Sequence, residues 1–328
     1  MTNSRKATLG PLLFALGMTA MLPTGCAGTG APGLPPSGAA RAASAAKRAP
    51  ADDFTFTTIN NNTDPTFNQL LGINDKMKIS GYYGSGATGH PNRGYTVAPP
   101  YAQGNFVAED YPGSAQSQVT CIDNRGNTGG FWVNAKGVNR GFIEWNGVFT
   151  SYAYPKAPKS TVTQILGLNS SGIAVGFYTS ANGVNHAFTL DQGTGNFTKI
   201  TPPDATNVTA SAINSNGDIV GFYTAGTSTF GFLDRKGKFT TFAFPGSANT
   251  TPFGVNDSLA IVGSYVDGND KMHGFLLTDV LTKAKFTSID DPQGIGTTTI
   301  NGVNNSLDMV GFFVDSVGNT DGMLIQPK

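Results

Sequence analysis

The stretch GVNDSLAIVGSY, Gly254 to Tyr265, has five counterparts of equal length. They are GINDKMKISGYY from Gly72, CIDNRGNTGGFW from Cys121, GLNSSGIAVGFY from Gly167, AINSNGDIVGFY from Ala212 and GVNNSLDMVGFF from Gly302. Successive copies start 49, 46, 45, 42 and 48 residues apart. A phrase recurring at this period marks a solenoid, a propeller or a linear array.

Each copy is followed by the same order of segments. A short apolar run comes next: GYTVA, GFIEW, AFTLD, GFLDR, GFLLT or GMLIQ. A phenylalanine then opens a further segment, and proline stands six residues later in Phe106/Pro112, Phe149/Pro155, Phe197/Pro203, Phe239/Pro245 and Phe286/Pro292. In the sixth pair, Phe56/Asn62, asparagine replaces proline. Each unit thus reads as four strands, A to D. Strand A closes on the G-I-N phrase, and the Asn, Asp, Ser and Gly that follow suit a tight hairpin turn. Strand B is apolar at consecutive positions, as when both faces of a sheet are covered. Proline ends D because it has no N–H for a ladder.

Four strands per unit, covered on both faces, describe a propeller blade. A lone D segment, Phe54 to Ile59, precedes the first phrase, and a C segment is the last in the chain. Together they predict an all-β, six-bladed β-propeller over residues 54–328, four antiparallel strands per blade, the last blade closed by the N-terminal strand. Closure removes sheet edges. The competing arrangement is an open array of hairpin repeats, which does not require a shared final blade.

Composition agrees. Gly is abundant at 43 residues, and only Glu109 and Glu144 are glutamates. The first fifty residues hold five basic and no acidic groups, leaving 16 basic against 21 acidic, a net −5, for the remainder. A mildly acidic body excludes nucleic acid as the expected partner. Arg5 and Lys6 precede an apolar run, as in a secretory signal peptide over residues 1–26. It ends in LPTGC, where Cys26 is a candidate lipid-attachment residue, although Pro23 stands where a lipobox has a large apolar residue. Residues 27–52, rich in Ala, Gly, Pro and Ser, read as a flexible linker. The expected location is therefore the cell envelope or the exterior, with membrane contact only through a lipid anchor. Cys121 stands where other copies have Gly or Ala and reads as a small buried filler.

The phrases GINDKMKISGYY, HAFTL, HGFLL and FTTFAFPGSANTTPFGVND resemble the HAF-type bacterial extracellular repeat proteins, named for His-Ala-Phe. The resemblance spans residues 54–328. It implies secretion and repeat architecture, and brings no reaction and no catalytic residues. The match is uneven: His-Ala-Phe occurs once, at His186, and His-Gly-Phe once, at His273, whereas Arg93, Arg140, Phe230 and Asp321 hold that place elsewhere.

The repeated residues have structural explanations. The strand-B glycines (Gly81, Gly130, Gly176, Gly221, Gly263, Gly311) are expected where blades approach closely near the axis. Asn74, Asp123, Asn169, Asn214, Asn256 and Asn304 are expected to bond their own turns, an amide ring for an ion being the alternative. Function is sought on the face shared by the D–A and B–C loops. There Asp267, Asp270, Asp290, Asp291, Asp315 and Asp321 form an acidic sector with the oxygen ligands that a hard cation such as calcium prefers. Ordinary solvated loops are the competing explanation. His90, Arg93, Lys136, Arg140, Lys156 and Lys159 make a basic side. No H-E-x-x-H, C-x-x-C, G-x-S-x-G or P-loop string is present. The expected function is a non-enzymatic, exported, monomeric binding module for an extracellular glycan or protein, with no cofactor unless calcium. The alternative is a metal-assisted propeller enzyme of lactonase, lyase or phosphatase type.

Overall fold

The computed structural model describes residues 47–48, 53–155 and 162–328. The signal peptide, Cys26, most of the linker, Lys156 and Lys159 lie outside the described residues. The chain is all-β apart from a single-turn 3-10 helix at Gln103–Asn105 among the described residues.

Strands β3–β6 (Asn68–Ile73, Ile79–Tyr83, Arg93–Val97, Phe106–Ala108) form a four-stranded antiparallel meander, unit 1. Unit 2 is β7–β10 (Gln116–Ile122, Thr128–Val133, Asn139–Trp145, Val148–Tyr152) and unit 3 is β11–β14 (Val162–Leu168, Ile173–Thr179, Asn185–Asp191, Asn196–Lys199). Unit 4 is β15–β18 (Thr206–Ile213, Ile219–Ala225, Ser228–Arg235, Lys238–Phe242) and unit 5 is β19–β22 (Thr250–Val255, Ile261–Val266, Met272–Thr278, Lys285–Ile289). Unit 6 takes β23–β25 (Thr298–Val303, Met309–Val314, Thr320–Pro327) and, as its outer strand, β2 (Phe54–Thr58), paired antiparallel from Phe54↔Pro327 to Thr58↔Met323. Each unit packs on the next, and β3 of unit 1 packs on β23, β24 and β25 of unit 6.

The sheets differ from the expected six separate ones. Hydrogen bonding joins the strands into five sheets, because units 2 and 3 share one eight-stranded sheet through the parallel pair Val162↔Asn139. The same contact, from the start of one strand C to the start of the next strand A, recurs as isolated bridges at Phe67↔Thr320, Thr229↔Asn249 and Met272↔Thr297. The merged sheet is thus a regular junction whose bridge falls within named strands. Residues Lys47–Arg48, inside the expected linker, form β1 and add a parallel fifth strand beside β22.

The repeated glycines divide their work differently from expectation. Strand A carries a β-bulge in every unit, between Leu70 and Gly72 in unit 1 for instance. The bulge pushes a carbonyl against strand B of the same unit. A Cβ on Gly81, Gly130 or Gly311 would lie 2.3, 2.0 or 1.9 Å from the carbonyl oxygen of Gln69, Gln118 or Thr299. These glycines therefore serve their own sheet, not the approach between units. The approach falls to the first residue of the phrase: a Cβ on Gly167 would lie 2.9 Å from Ala212 Cα, and one on Gly302 3.2 Å from Gly72 Cα. Only small residues, Cys121 and Ala212 included, fit there.

Each phrase asparagine bonds in two directions. Asn256 Oδ1 accepts from the N–H groups of Ser258 and Ala260 at 3.1 and 2.9 Å, capping its own A–B turn. Its Nδ2 donates to the Asn304 carbonyl of the next unit at 3.0 Å. Equivalent amide bonds run Asn74 to Asp123 (2.9 Å), Asn169 to Asn214 (3.1 Å), Asn214 to Asn256 (3.1 Å) and Asn304 back to Asn74 (3.4 Å). Asp123 has no amide to donate; its Oδ2 accepts from Asn127 Nδ2 at 2.9 Å. At that junction Thr120 Oγ1 reaches the Ile165 carbonyl instead, at 2.7 Å. The expectation of turn bonding was therefore half of the role, and the amide ring binds backbone.

Two stability predictions follow from closure and from the asparagines. Deleting Phe54 to Asn60 removes the outer strand of unit 6 and the buried Ile59, so the loss should exceed the roughly 3 kcal/mol of one large core truncation, read as a lower melting temperature by circular dichroism. Asn256→Ala strips a buried turn of its acceptor and should cost about 2–3 kcal/mol, whereas Asn256→Asp keeps both turn bonds and should cost about 1 kcal/mol, both by urea denaturation.

Candidate functional sites at the two ends of the ring

On the D–A and B–C face, the outer ends of the strands carry a repeated side-chain stack. The residue before the proline lies on the strand-B aromatic, as Phe244 on Tyr265 (ring centroids 3.5 Å apart), Tyr154 on Tyr178 (3.9 Å) and Tyr111 on Trp132 (4.5 Å). The second residue of strand C is the register partner of that aromatic. Where it is histidine it joins the stack, His186 at 5.0 Å from Tyr178 and His273 at 5.1 Å from Tyr265. The H-x-F motif is thereby explained as packing plus one polar handle. Burial and the nearby Lys199 hold the His186 imidazole below its usual range.

The acidic sector is partly gathered, and each acid has local partners. His273 Nδ1 meets Asp290 at 2.8 Å and its Nε2 meets Asp267 at 3.4 Å. Asp267 Oδ1 also caps its own turn, accepting from Asn269 and Lys271 N–H at 2.8 and 2.9 Å. Those backbone bonds draw its carboxyl below the usual range. Asp315 Oδ1 does the same for Val317 and Asn319 N–H, at 2.9 and 2.8 Å. Asn134 occupies the matching place in unit 2 and caps identically, so these positions call for a turn acceptor, not for a charge. Asp291 is buried and accepts from Gln293 N–H at 2.8 Å, and burial raises its pKa. Asp321 accepts from Asn60 Nδ2 at 2.6 Å, tying unit 6 to the strand that closes it. Asp270 contributes a left-handed backbone (φ 59°) to its turn. Among the described residues, no three His, Cys, Asp or Glu side chains are grouped to hold a metal ion. Turn N–H groups, His273 and Asn60 engage oxygens of five of the six expected carboxylates, Asp267, Asp290, Asp291, Asp315 and Asp321.

The basic side is offset in the same way. His90 Nδ1 meets Asp64 at 2.7 Å, and Arg93 meets Asp110 at 3.6 Å. Cys121 is buried among Ile143, Ile165 and Phe188, and desolvation pushes its thiol up to about 12, which leaves it inert at neutral pH.

The opposite end holds a feature that residue-type searches missed. The axial channel opens there into a cavity of about 80 Å³ lined by the A–B turns. Asp75, Asn124, Ser170, Ser215, Asp257 and Asn305, each next after the phrase Asn or Asp, surround it. Asn305 Nδ2 donates to both Asp75 Oδ2 and Asp257 Oδ2, at 2.9 and 3.0 Å. Asn124 Nδ2 donates to Asp75 Oδ2 at 2.7 Å, and Ser215 N–H to Asp257 Oδ1 at 2.9 Å. Asp75, Ser215 and Asn305 are exposed and Asn124, Ser170 and Asp257 half-buried, and the side chains of Asp75, Asn124, Asp257 and Asn305 are held by one another. The available signal was a small polar residue at one phrase position in all six copies.

No protein-family model matches the sequence, and no curated protein is significantly similar to it. Solved structures are similar in fold. The putative TolB from Agrobacterium tumefaciens superposes with a TM-score of 0.54 at 12% identity, over 84% of this chain and 98% of that one. AofleA from Arthrobotrys oligospora gives 0.52 at 11% identity, over 83% and 86%. TolB from Acinetobacter baumannii gives 0.51 at 11% identity, over 76% and 63%. The likeness is one of fold: an all-β propeller arrangement of four-stranded sheets. No helix among the described residues is long and apolar enough to cross a membrane.

The depressed pKa of His186 gives a pH prediction. A folded value below the unfolded 6.5 means that the unfolded state binds the proton first, so this residue's contribution to stability is full above pH 6.5 and declines as pH falls below it. The His186 imidazole signal in an NMR titration should have its midpoint below 6.5; a midpoint at or above 6.5 contradicts the stacked, desolvated ring.

Proposed function

We propose that the protein is an exported, non-enzymatic binding module: a six-bladed propeller of HAF type whose six meanders are the blades. The proposed polar ligand site is the channel mouth around Asp75, Asp257 and Asn305. One observation carries the reading. The mouth presents accessible carboxylates and amides whose positions are set by a ring of five buried asparagines and Asp123 beneath them. Such preorganised side chains lose little entropy on binding. Alternating acceptors and donors suit the hydroxyls of a glycan, and two carboxylates suit a ligand ammonium as well. The HAF-type phrases, the apolar N-terminal run and Cys26 support export, with lipid attachment at the envelope.

A glycan-array screen of the labelled protein tests the reading. Signal on a defined subset of glycans is expected, weakened about tenfold or more in the Asp75→Asn/Asp257→Asn variant. A blank array from well-folded protein overturns the glycan ligand, and signal unchanged in the variant overturns the site.

A further inference from the structure

Five junctions between consecutive units are filled by hydrophobic clusters. These join unit 6 to 1, 2 to 3, 3 to 4, 4 to 5 and 5 to 6. The junction of units 1 and 2 has no such cluster among the described residues, and the facing positions explain why. Between units 4 and 5, Val220 and Leu233 face Ile261 and Leu277. Between units 1 and 2 the corresponding residues are Ser80 and Thr96 facing Thr128 and Glu144.

Geometry places these side chains in one seam. Ser80 and Thr96 are register partners, and Thr128 and Glu144 are register partners. A Cβ on Gly72 would meet Ser80 Oγ at 2.7 Å and the backbone of Cys121 in unit 2 at 3.2 Å. One on Gly94, two residues before Thr96 on the same sheet face, would meet Val119 of unit 2 at 2.6 Å. From the edge of unit 1, Glu109 reaches across and accepts from Thr128 Oγ1 at 3.2 Å. The two glutamates of the whole chain therefore meet at this one junction, where burial and the charge of Glu144 raise the Glu109 pKa. The charge of Lys78 lowers it, and among the described residues no ion pair to either glutamate is found.

Ser80 Oγ and Thr96 Oγ1 are fully buried and have no hydrogen-bond partner. A buried hydroxyl left unpaired costs about 1–3 kcal/mol, and the buried Glu144, which accepts from the Gly147 N–H, and the half-buried Glu109 beside it gain from a countercharge. The Ser80, Thr96, Thr128, Glu109 and Glu144 side chains offer oxygens, the set that a hard cation prefers. We propose that the seam between units 1 and 2 binds a hard divalent cation of the calcium class, through the Glu109 and Glu144 carboxylates and the Ser80, Thr96 and Thr128 hydroxyls. The cation would do there what the hydrophobic clusters do at the other junctions. This site is separate from the channel mouth and from the acidic sector.

Calorimetric titration of the full chain with calcium chloride, paired with melts in calcium and in EDTA, tests it. One bound calcium per chain and a higher melting temperature in calcium are expected. Glu109→Gln/Glu144→Gln should weaken binding about tenfold or more. Ser80→Val/Thr128→Ile, which restores the apolar residue types of the other junctions, should fold, lose the binding and melt alike in calcium and EDTA. Asp267→Asn/Asp315→Asn should bind as the wild type does. Absence of binding to the wild type at millimolar calcium overturns the proposal, as does binding that survives in Ser80→Val/Thr128→Ile.

Discussion

One hydrogen bond, repeated around the axis, sets the geometry of this molecule. The phrase asparagine holds its own turn with its oxygen and the neighbouring turn with its nitrogen. A donor and an acceptor on one planar amide cannot shift independently, so the shape of each turn and its distance from the next are fixed together. Units built this way close only when the last amide finds the first carbonyl, and Asn304 finds that of Asn74. The outer circumference is closed separately by β2, where Ile59 N–H donates to the Gly322 carbonyl at 2.8 Å. Inner and outer closure thus use different parts of the chain.

The remainder of each unit is built against that frame. Strand B must be glycine where the bulged strand A presents its carbonyl, and the phrase must begin with a small residue where units touch. Between these points most junctions are closed by interdigitated Val, Ile, Leu and Phe, worth about 25 cal/mol per Å² removed from water. The charged residues cluster in turns, and the turns consume them. An Asx side chain that accepts two backbone N–H groups has spent much of its coordinating capacity. The acidic sector is therefore partly engaged by its own turns, while at the seam between units 1 and 2 the Ser80 and Thr96 hydroxyls are left unpaired.

Function on such a frame depends on departures from the repeat. The H-x-F histidines extend an aromatic stack; His186 offers one ring nitrogen to Ser180, and His273 both, to Asp290 and Asp267. The residue after the phrase asparagine is free of packing duty and faces the channel mouth. Variation there changes a surface without changing the fold, as expected of a scaffold that presents side chains for recognition.

The primary sequence by itself determined the four strands of each unit and their order, while the bulged register of strand A appeared only in the structure. Consecutive apolar runs, Asx-type turns and strand-ending prolines are local effects, and even the N-terminal closing strand was legible as an unmatched D segment. Which residues meet across units was decided only by the tertiary structure. The second bond of each asparagine, the swapped roles of the two glycine positions and the merging of units 2 and 3 into one sheet all depend on the neighbouring unit's placement. So do the two candidate sites: residues 75 and 305 at the channel mouth lie at opposite ends of the folded chain, and Glu109 and Glu144 share a seam because β7 carries the chain from one wall to the other. Local pattern specifies a blade, but a contact between blades is set by the rotation that closes the ring, and no short window of residues contains that rotation.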